Sequence, residues 1–233
     1  MNFISKGRTL KTLKVKNAII PKLYIFTVAR YKRNRNIVLK DIKNYFNSHI
    51  AIRSSGLMED TTTSSKAGKF KSILNIDSQN ILSVDRAINQ VISSYKNYEN
   101  PNNEILIQTM VENVIFSGVA FSCDKDTAAP YFTINYTRTK NTFDITSGKV
   151  NAETFVMFKD SPVKPKSKFI LKIINLIIEL LKITKYDRLD IEFAIDKFKK
   201  IYLLQVRPLV IKKSTKKILN IEPYLRNINK KIK

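Results

Sequence analysis

Leu189–Ile195 reads LDIEFAI, and Ile201–Pro208 reads IYLLQVRP. At the two-residue period of a strand, Leu189, Ile191, Phe193 and Ile195 share one face, and Asp190 and Glu192 share the other. In the second segment Gln205 and Arg207 again lie two apart. The intervening Asp196–Lys200, with lysines at 197, 199 and 200, is short enough to close an antiparallel hairpin. One face of that hairpin would gather two acids, an amide and a guanidinium. The two carboxylates would stand about 6–7 Å apart and repel, more strongly when buried. A cation between them removes the conflict, and Mg²⁺ is commonly held by one or two carboxylates plus phosphate oxygens. An arginine beside such a metal suits a transferring phosphoryl group. The same spacing also fits a solvated charged face with one cross-strand ion pair.

Working outward, Phe169–Ile183 (FILKIINLIIELLKI) places Ile170, Ile173, Ile174, Ile177, Ile178 and Leu181 at helical spacing, with Ser167 as a cap. Lys172, Glu179 and Lys182 interrupt it, and it is shorter than the ~20 apolar residues of a membrane span. It reads as a buried amphipathic helix, with a membrane-surface helix as the alternative. Gly118–Ser122 and Tyr131–Tyr136 look like a strand pair around a loop at Cys123–Pro130. Glu104–Val111 reads as a strand buried on both faces. Further strands are expected over Lys22–Ala29, Ile50–Arg53 and Phe70–Ile76, and helices over Leu10–Val15, Ile37–Asn47 and Ser83–Tyr95, the last capped by Ser83. Asn141–Lys166 shows no clear pattern. Strand and helix signals alternate without a strict βαβ period, so the class is α+β.

The chain has 233 residues, 43% of them hydrophobic, which is enough for a real core and argues against wholesale disorder. A single cysteine, Cys123, excludes a disulfide framework, and with His49 as the lone histidine a multi-His/Cys metal cluster is excluded too. Residues 1–50 hold 12 Lys/Arg against Asp41, and 211–233 hold eight against Glu222, so most of the net +23 lies at the two ends. Such charge attracts polyanions. It also fits plain lysine enrichment, and no zinc finger, aromatic RNP-type strand or basic heptad accompanies it, so nucleic acid is not an expected partner. The first residues lack the apolar core of a secretory signal, and a lone thiol fits a reducing, cytoplasmic setting.

Arg53–Gly68 (RSSGLMEDTTTSSKAG) is dense in Ser, Thr and Gly. Small residues let a backbone approach an anion, and an arginine at the entrance supplies a planar clamp. An ordinary polar loop has the same composition. No GxxxxGK[ST] occurs, so it is not a Walker A loop.

RSSGLMED with SSKAGKFKSILN, then IQTMVENVIFSGVAFSCD, LDIEFAID and IYLLQVRPL, in that order, resemble the nucleotide-binding domain of the pyruvate phosphate dikinase / phosphoenolpyruvate synthase family over roughly residues 4–210. The resemblance implies an ATP-grasp-like α+β fold. It would have two subdomains with mainly antiparallel sheets, about 1–100 and about 101–210, a nucleotide cleft between them, and a basic tail at 211–233. It implies ATP and Mg²⁺ as cofactors, and transfer of a phosphoryl group to a histidine on a separate domain or chain. On this resemblance Lys6, Arg53 and Arg207 would contact phosphates, with Arg53 and Arg207 catalytic. Asp190, Glu192 and Gln205 would place the metal, and Gln108, Met110 and Val111 would line the adenine pocket. Departures are visible. Ile4-Ser5-Lys6-Gly7 stands where the family opens Gly-Gly-Lys, and Asp124-Lys125 and Thr127-Ala128 replace Asp-Pro and Thr-Gly. The stretch between Lys6 and Arg53 is short, so the first subdomain looks reduced. No phosphohistidine context surrounds His49, which reads as structural or superficial, and the expectation is a domain incomplete by itself. The alternative is a catalytically silent nucleotide-binding or scaffolding module.

Overall fold

The computed structural model describes residues 3–56, 71–95, 100–138 and 152–211. The chain forms two compact units. One comprises Asn2–Lys14 and Ile20–Glu112, the other Val15–Ile19 and the chain from Asn113 onward. Each is built on one antiparallel sheet, as expected for the α+β class.

The sheet of the first unit has the order β1-β4-β2-β3, from β1 (Leu23–Thr27), β2 (His49–Ser55), β3 (Ser72–Asp77) and β4 (Glu104–Thr109). One face carries Phe26, Ile50, Ile52, Ile105 and Ile107 into a core shared with α2 (Val28–Arg33), α3 (Arg35–Tyr45) and α4 (Ile81–Ser93). The other face carries Ile25, Leu106 and Arg53, which are register partners across three strands. A short helix α1 (Lys6–Thr12) packs there against β1 and β4. β4 is central and buried almost throughout, which explains its continuous apolar run.

Three local readings differ from expectation. The first helix runs Lys6–Thr12 rather than Leu10–Val15, because Ser5 caps it by accepting the Arg8 N–H and Leu13 is already extended. Strand β1 ends at Thr27, whose hydroxyl caps the Arg30 N–H and starts α2, so the apolar run does not continue extended to Ala29. Helix α4 is capped by Asn80, which accepts from the Ser83 N–H; Ser83 is already inside the helix.

The three helices are joined by one carboxylate. Asp85 on α4 accepts the Tyr31 hydroxyl of α2 and two N–H groups of Arg35 on α3, the latter at 2.6 and 2.5 Å. Arg35 holds the Asp85 carboxyl below the usual aspartate range, and burial pushes the Tyr31 phenol up.

The sheet of the second unit has the order β7-β6-β5-β8-β9, from β5 (Val114–Phe121), β6 (Tyr131–Thr137), β7 (Glu153–Phe158), β8 (Leu189–Asp196) and β9 (Ile201–Pro208). Strand β7 falls in the stretch without clear pattern. It is a sheet edge with mostly exposed or half-buried side chains, so burial imposes little alternation on its sequence. Helix α5 (Lys168–Thr184) is capped by Ser167; Ile178 and Leu181, expected on its buried stripe, are exposed and half-buried, while Ile170, Ile173, Ile174, Leu176, Ile177 and Leu180 are buried. Each such side chain contributes about 1.5–3 kcal/mol of gross transfer free energy, so this helix anchors its unit. Among the described residues no helix is long and apolar enough to cross a membrane.

Gly118 fixes the β5–β6 contact. A Cβ there would lie 2.1 Å from the Asn135 carbonyl oxygen and 2.9 Å from the Tyr136 Cα, both backbone atoms that cannot step aside. Gly118→Ala should therefore cost about 3 kcal/mol, the upper end of overpacking penalties, and lower the melting temperature by at least about 6 °C in calorimetry. A second expectation concerns acid stability. The folded state holds Asp85 ionised more firmly than the unfolded chain does, so its stabilisation is complete above the unfolded value of about 4 and fades as pH falls through the lower folded value. The difference in denaturation midpoint between wild type and Asp85→Asn should be largest near pH 7 and should close toward pH 2.

Candidate functional site

Strand β8 lies between β5 and β9, and its register arranges the charged residues. Asp190 pairs with Arg207 on one side and Phe121 on the other; Glu192 pairs with Gln205 and Val119. Directly paired residues share a face, so Asp190, Glu192, Gln205 and Arg207 form a block on one face of the sheet. Ile191, Phe193 and Ile195 point the other way into the core.

This arrangement needs a break in period two. In IYLLQVRP the residues Ile201, Leu203, Gln205 and Arg207 are all odd-numbered and would share a face in a regular strand. The register shifts between Glu192 and Phe193, so that Phe193 faces Leu203 and Leu204 is the extra residue. The bulge sends Ile201 and Leu203 to the core while Gln205 and Arg207 stay with the acids.

The Arg207 Nε and one terminal nitrogen both donate to the same Asp190 oxygen, at 2.8 and 2.5 Å. The two side chains are only 16% and 10% exposed. Two carboxylates about 6.5 Å apart repel by about 2.5 kcal/mol at an effective dielectric of about 20. A guanidinium at contact distance from one of them returns more than that. Arg207 thus does for Asp190 what the sequence reading assigned to a metal. Glu192, half-buried and directly across from the buried Gln205, remains the oxygen ligand best suited to a divalent ion. The donor set of Asp190, Glu192 and the Gln205 amide is all hard oxygen, which fits Mg²⁺ completed by phosphate oxygens and water. No group of three or more His, Cys, Asp or Glu positioned for a metal occurs among the described residues.

In the other unit, Lys6 is the first residue of α1 and Arg53 lies on β2. A buried network joins their two elements. The Gly7 N–H donates to the Ser55 hydroxyl at 3.0 Å. The Ser5 hydroxyl donates to Glu104 at 2.6 Å, and Arg8 Nε donates to the other Glu104 oxygen at 2.5 Å. The Tyr95 hydroxyl donates to the Glu104 carbonyl and accepts from the Ser55 N–H, each at 2.8 Å. Glu104 itself is 2% exposed. Ser55 is two residues beyond Arg53 on the same strand, so the network fixes the start of α1, with Lys6, over the face that bears Arg53. Sequence reasoning missed Glu104, Ser5, Arg8 and Tyr95; the available signal was a lone acid opening the apolar run ILIQT.

Gln108 is buried on β4, on the same face as Leu106 and Arg53. The Met110 N–H donates to the His49 carbonyl at 2.9 Å, so this backbone group is already engaged. Val111 follows β4 in the connection that leads to β5. The Ser/Thr-rich loop is described only as far as Gly56; its residues 57–70 lie outside the described residues, as does the tail from 212.

The chain matches the family described as "Pyruvate phosphate dikinase, AMP/ATP-binding domain" over residues 30–172. No curated protein matches it. Among solved structures it is similar to an L-amino acid ligase from Bacillus licheniformis (TM-score 0.49, 11% identity, 90% of this chain and 44% of that one). It is also similar to D-alanine-D-alanine ligases from Coxiella burnetii (0.46, 9% identity, 88% and 47%) and Helicobacter pylori (0.45, 13% identity, 87% and 51%). The chain spans about half the length of these structures.

The β5–β6 loop gives a test of the Thr127-Ala128 departure. Asp124 accepts from the Asp126 and Thr127 N–H groups and the Thr127 hydroxyl, which closes the turn. Ala128 then sits at φ 62°, where glycine is favoured. The left-handed conformation costs alanine about 1–2 kcal/mol, against about 0.5–1 kcal/mol for glycine's extra entropy. Ala128→Gly should raise stability by about 0.5–1 kcal/mol, seen as a melting temperature up by about 1–4 °C.

Proposed function

The chain belongs to the pyruvate phosphate dikinase AMP/ATP-binding domain family, and from that premise we propose that it binds Mg²⁺-ATP in an ATP-grasp-like manner. It passes a phosphoryl group from ATP to a histidine on a separate domain or chain. The observation that carries this reading is the β8–β9 register, which sets Glu192 against Gln205 and Asp190 against Arg207 on one sheet face. Glu192 and Gln205, with Asp190, would hold the metal, and a bound Mg²⁺ would neutralise charge on the phosphate oxygens.

The chain's own residues do the rest. Arg207 arrives preoriented by Asp190, so little side-chain entropy remains to be lost when it meets a phosphate oxygen. Lys6 and Arg53, on the face fixed by the Ser5–Ser55–Glu104 network, are the phosphate contacts that the family resemblance assigns to that unit. Gln108, Met110 and Val111 serve the adenine; with the Met110 N–H engaged by His49, the Gln108 side chain, the Met110 carbonyl and Val111 are the groups for that role. No covalent nucleophile is required of this chain, because the acceptor histidine comes from elsewhere.

Titration calorimetry with ATP in the presence and absence of Mg²⁺ tests the reading. Glu192→Gln should abolish the metal dependence, and Arg207→Lys should weaken Mg²⁺-ATP binding at least tenfold, both without loss of fold. Arg207→Ala is the poorer probe, since it leaves Asp190 with an uncompensated charge. Lys6→Ala and Arg53→Ala should each weaken the same ligand. Binding that ignores all four changes would overturn the site. Intact binding with no transfer to any added phosphohistidine domain would overturn the phosphotransferase step.

A further inference from the structure

At the end of the β8–β9 hairpin away from Asp190 and Arg207, four lysines surround a hollow of about 380 Å³. Lys16 comes from the 15–19 segment, Lys172 from α5, and Lys199 and Lys200 from the hairpin turn; Asn17 and Asn175 complete the polar wall. All belong to one unit. The Lys172 ammonium donates to the Lys199 carbonyl at 2.8 Å, which ties α5 to the turn. Two carboxylates stand nearby, and both are turned to other work. Glu179 accepts the backbone N–H groups of Lys16 and Asn17 and the Asn17 amide. Asp196 accepts the Lys200 N–H and the Tyr202 hydroxyl. Among the described residues none of the four ammonium groups forms an ion pair with a carboxylate.

Two features of the turn go beyond charge. Phe198 projects from its tip, 68% exposed, with the Lys197 ammonium 5.1 Å from its ring centre. Lys199 sits at φ 64°, a conformation that favours glycine, and yet it carries a long cationic side chain. An open hollow without a buried charged group would hold a small anion weakly. Lysines around a hollow, with an exposed aromatic ring next to Lys199 in the same turn, suit an extended polyanion with π-faces. Sequence composition offered charge without a reading element; the fold supplies one in Phe198.

We propose that the hollow and the Phe198 tip bind single-stranded nucleic acid, with phosphates on Lys16, Lys172, Lys199 and Lys200 and a base stacked on the ring. The site is separate from the nucleotide site and stands whether or not that reading holds.

The test uses the full chain and a fluorescein-labelled twelve-residue oligothymidylate, read by anisotropy. Four phosphate contacts predict a log–log salt slope of about −3. Lys172→Glu/Lys200→Glu should weaken binding at least tenfold, whereas Lys40→Glu/Lys43→Glu on α3, with the same change in net charge, should stay within about threefold. Phe198→Ala and Phe198→Leu should each lose at least fivefold, because stacking needs the ring. Lys199→Gly should lower affinity while raising the melting temperature, which separates binding from folding. Equal losses from the two charge reversals, or full affinity in both Phe198 variants, would overturn the proposal. So would tighter binding to phosphatidylserine vesicles than to the oligonucleotide, with Phe198→Leu tolerated there.

Discussion

The register of β9 on β8 is the constraint on which the candidate site depends. A side-chain period of two makes a strand unforgiving, since a slip of one residue exchanges core and open faces. Here the slip is local and built in. Leu204 is the extra residue, and on either side of it the strand serves two masters: Leu203 and Ile201 fill the core, while Gln205 and Arg207 join the acids. Without the bulge, either two aliphatic side chains would lose their burial or the amide and guanidinium would be driven into an apolar interior. Each alternative costs several kcal/mol, which is why the bulge is stable.

Asp190 and Arg207 show how a buried-edge ion pair can be structural and preparatory at once. The pair offsets the repulsion between neighbouring acids without outside help, and two donated hydrogen bonds hold the guanidinium on Asp190. In the other unit the Glu104 carboxylate plays a similar organising part for Ser5 and Arg8. Both units therefore use a carboxylate to hold an arginine in place.

Much of this was legible in the sequence, and the parts that were not share a cause. The α5 stripe, the buried β4 run and the alternation of LDIEFAI are dictated by burial on a known period, and each element forms where that period sits. The pairing of Asp190 with Arg207 and Glu192 with Gln205 could be anticipated as a hairpin face, though not the bulge that permits it; the Leu203–Leu204 doublet was its only trace. Helix α2 was hidden because Thr27 ends a strand and caps a helix with one residue. Strand β7 was hidden because an exposed edge demands no alternation. The Glu104 network joins residues up to 99 positions apart, a relation no local pattern encodes.

Cys123 closes β5 beside Ser122, whose hydroxyl accepts the Leu189 N–H at 2.7 Å and whose own N–H donates to the Leu189 carbonyl at 3.0 Å. The thiol is 2% exposed, and burial pushes its ionisation up. As long as β5 and β8 stay zipped at this point, a sulfur-directed reagent finds neither access nor thiolate. The chain thus carries a natural chemical clock at one seam, and its rate of alkylation counts the moments when the central strands part.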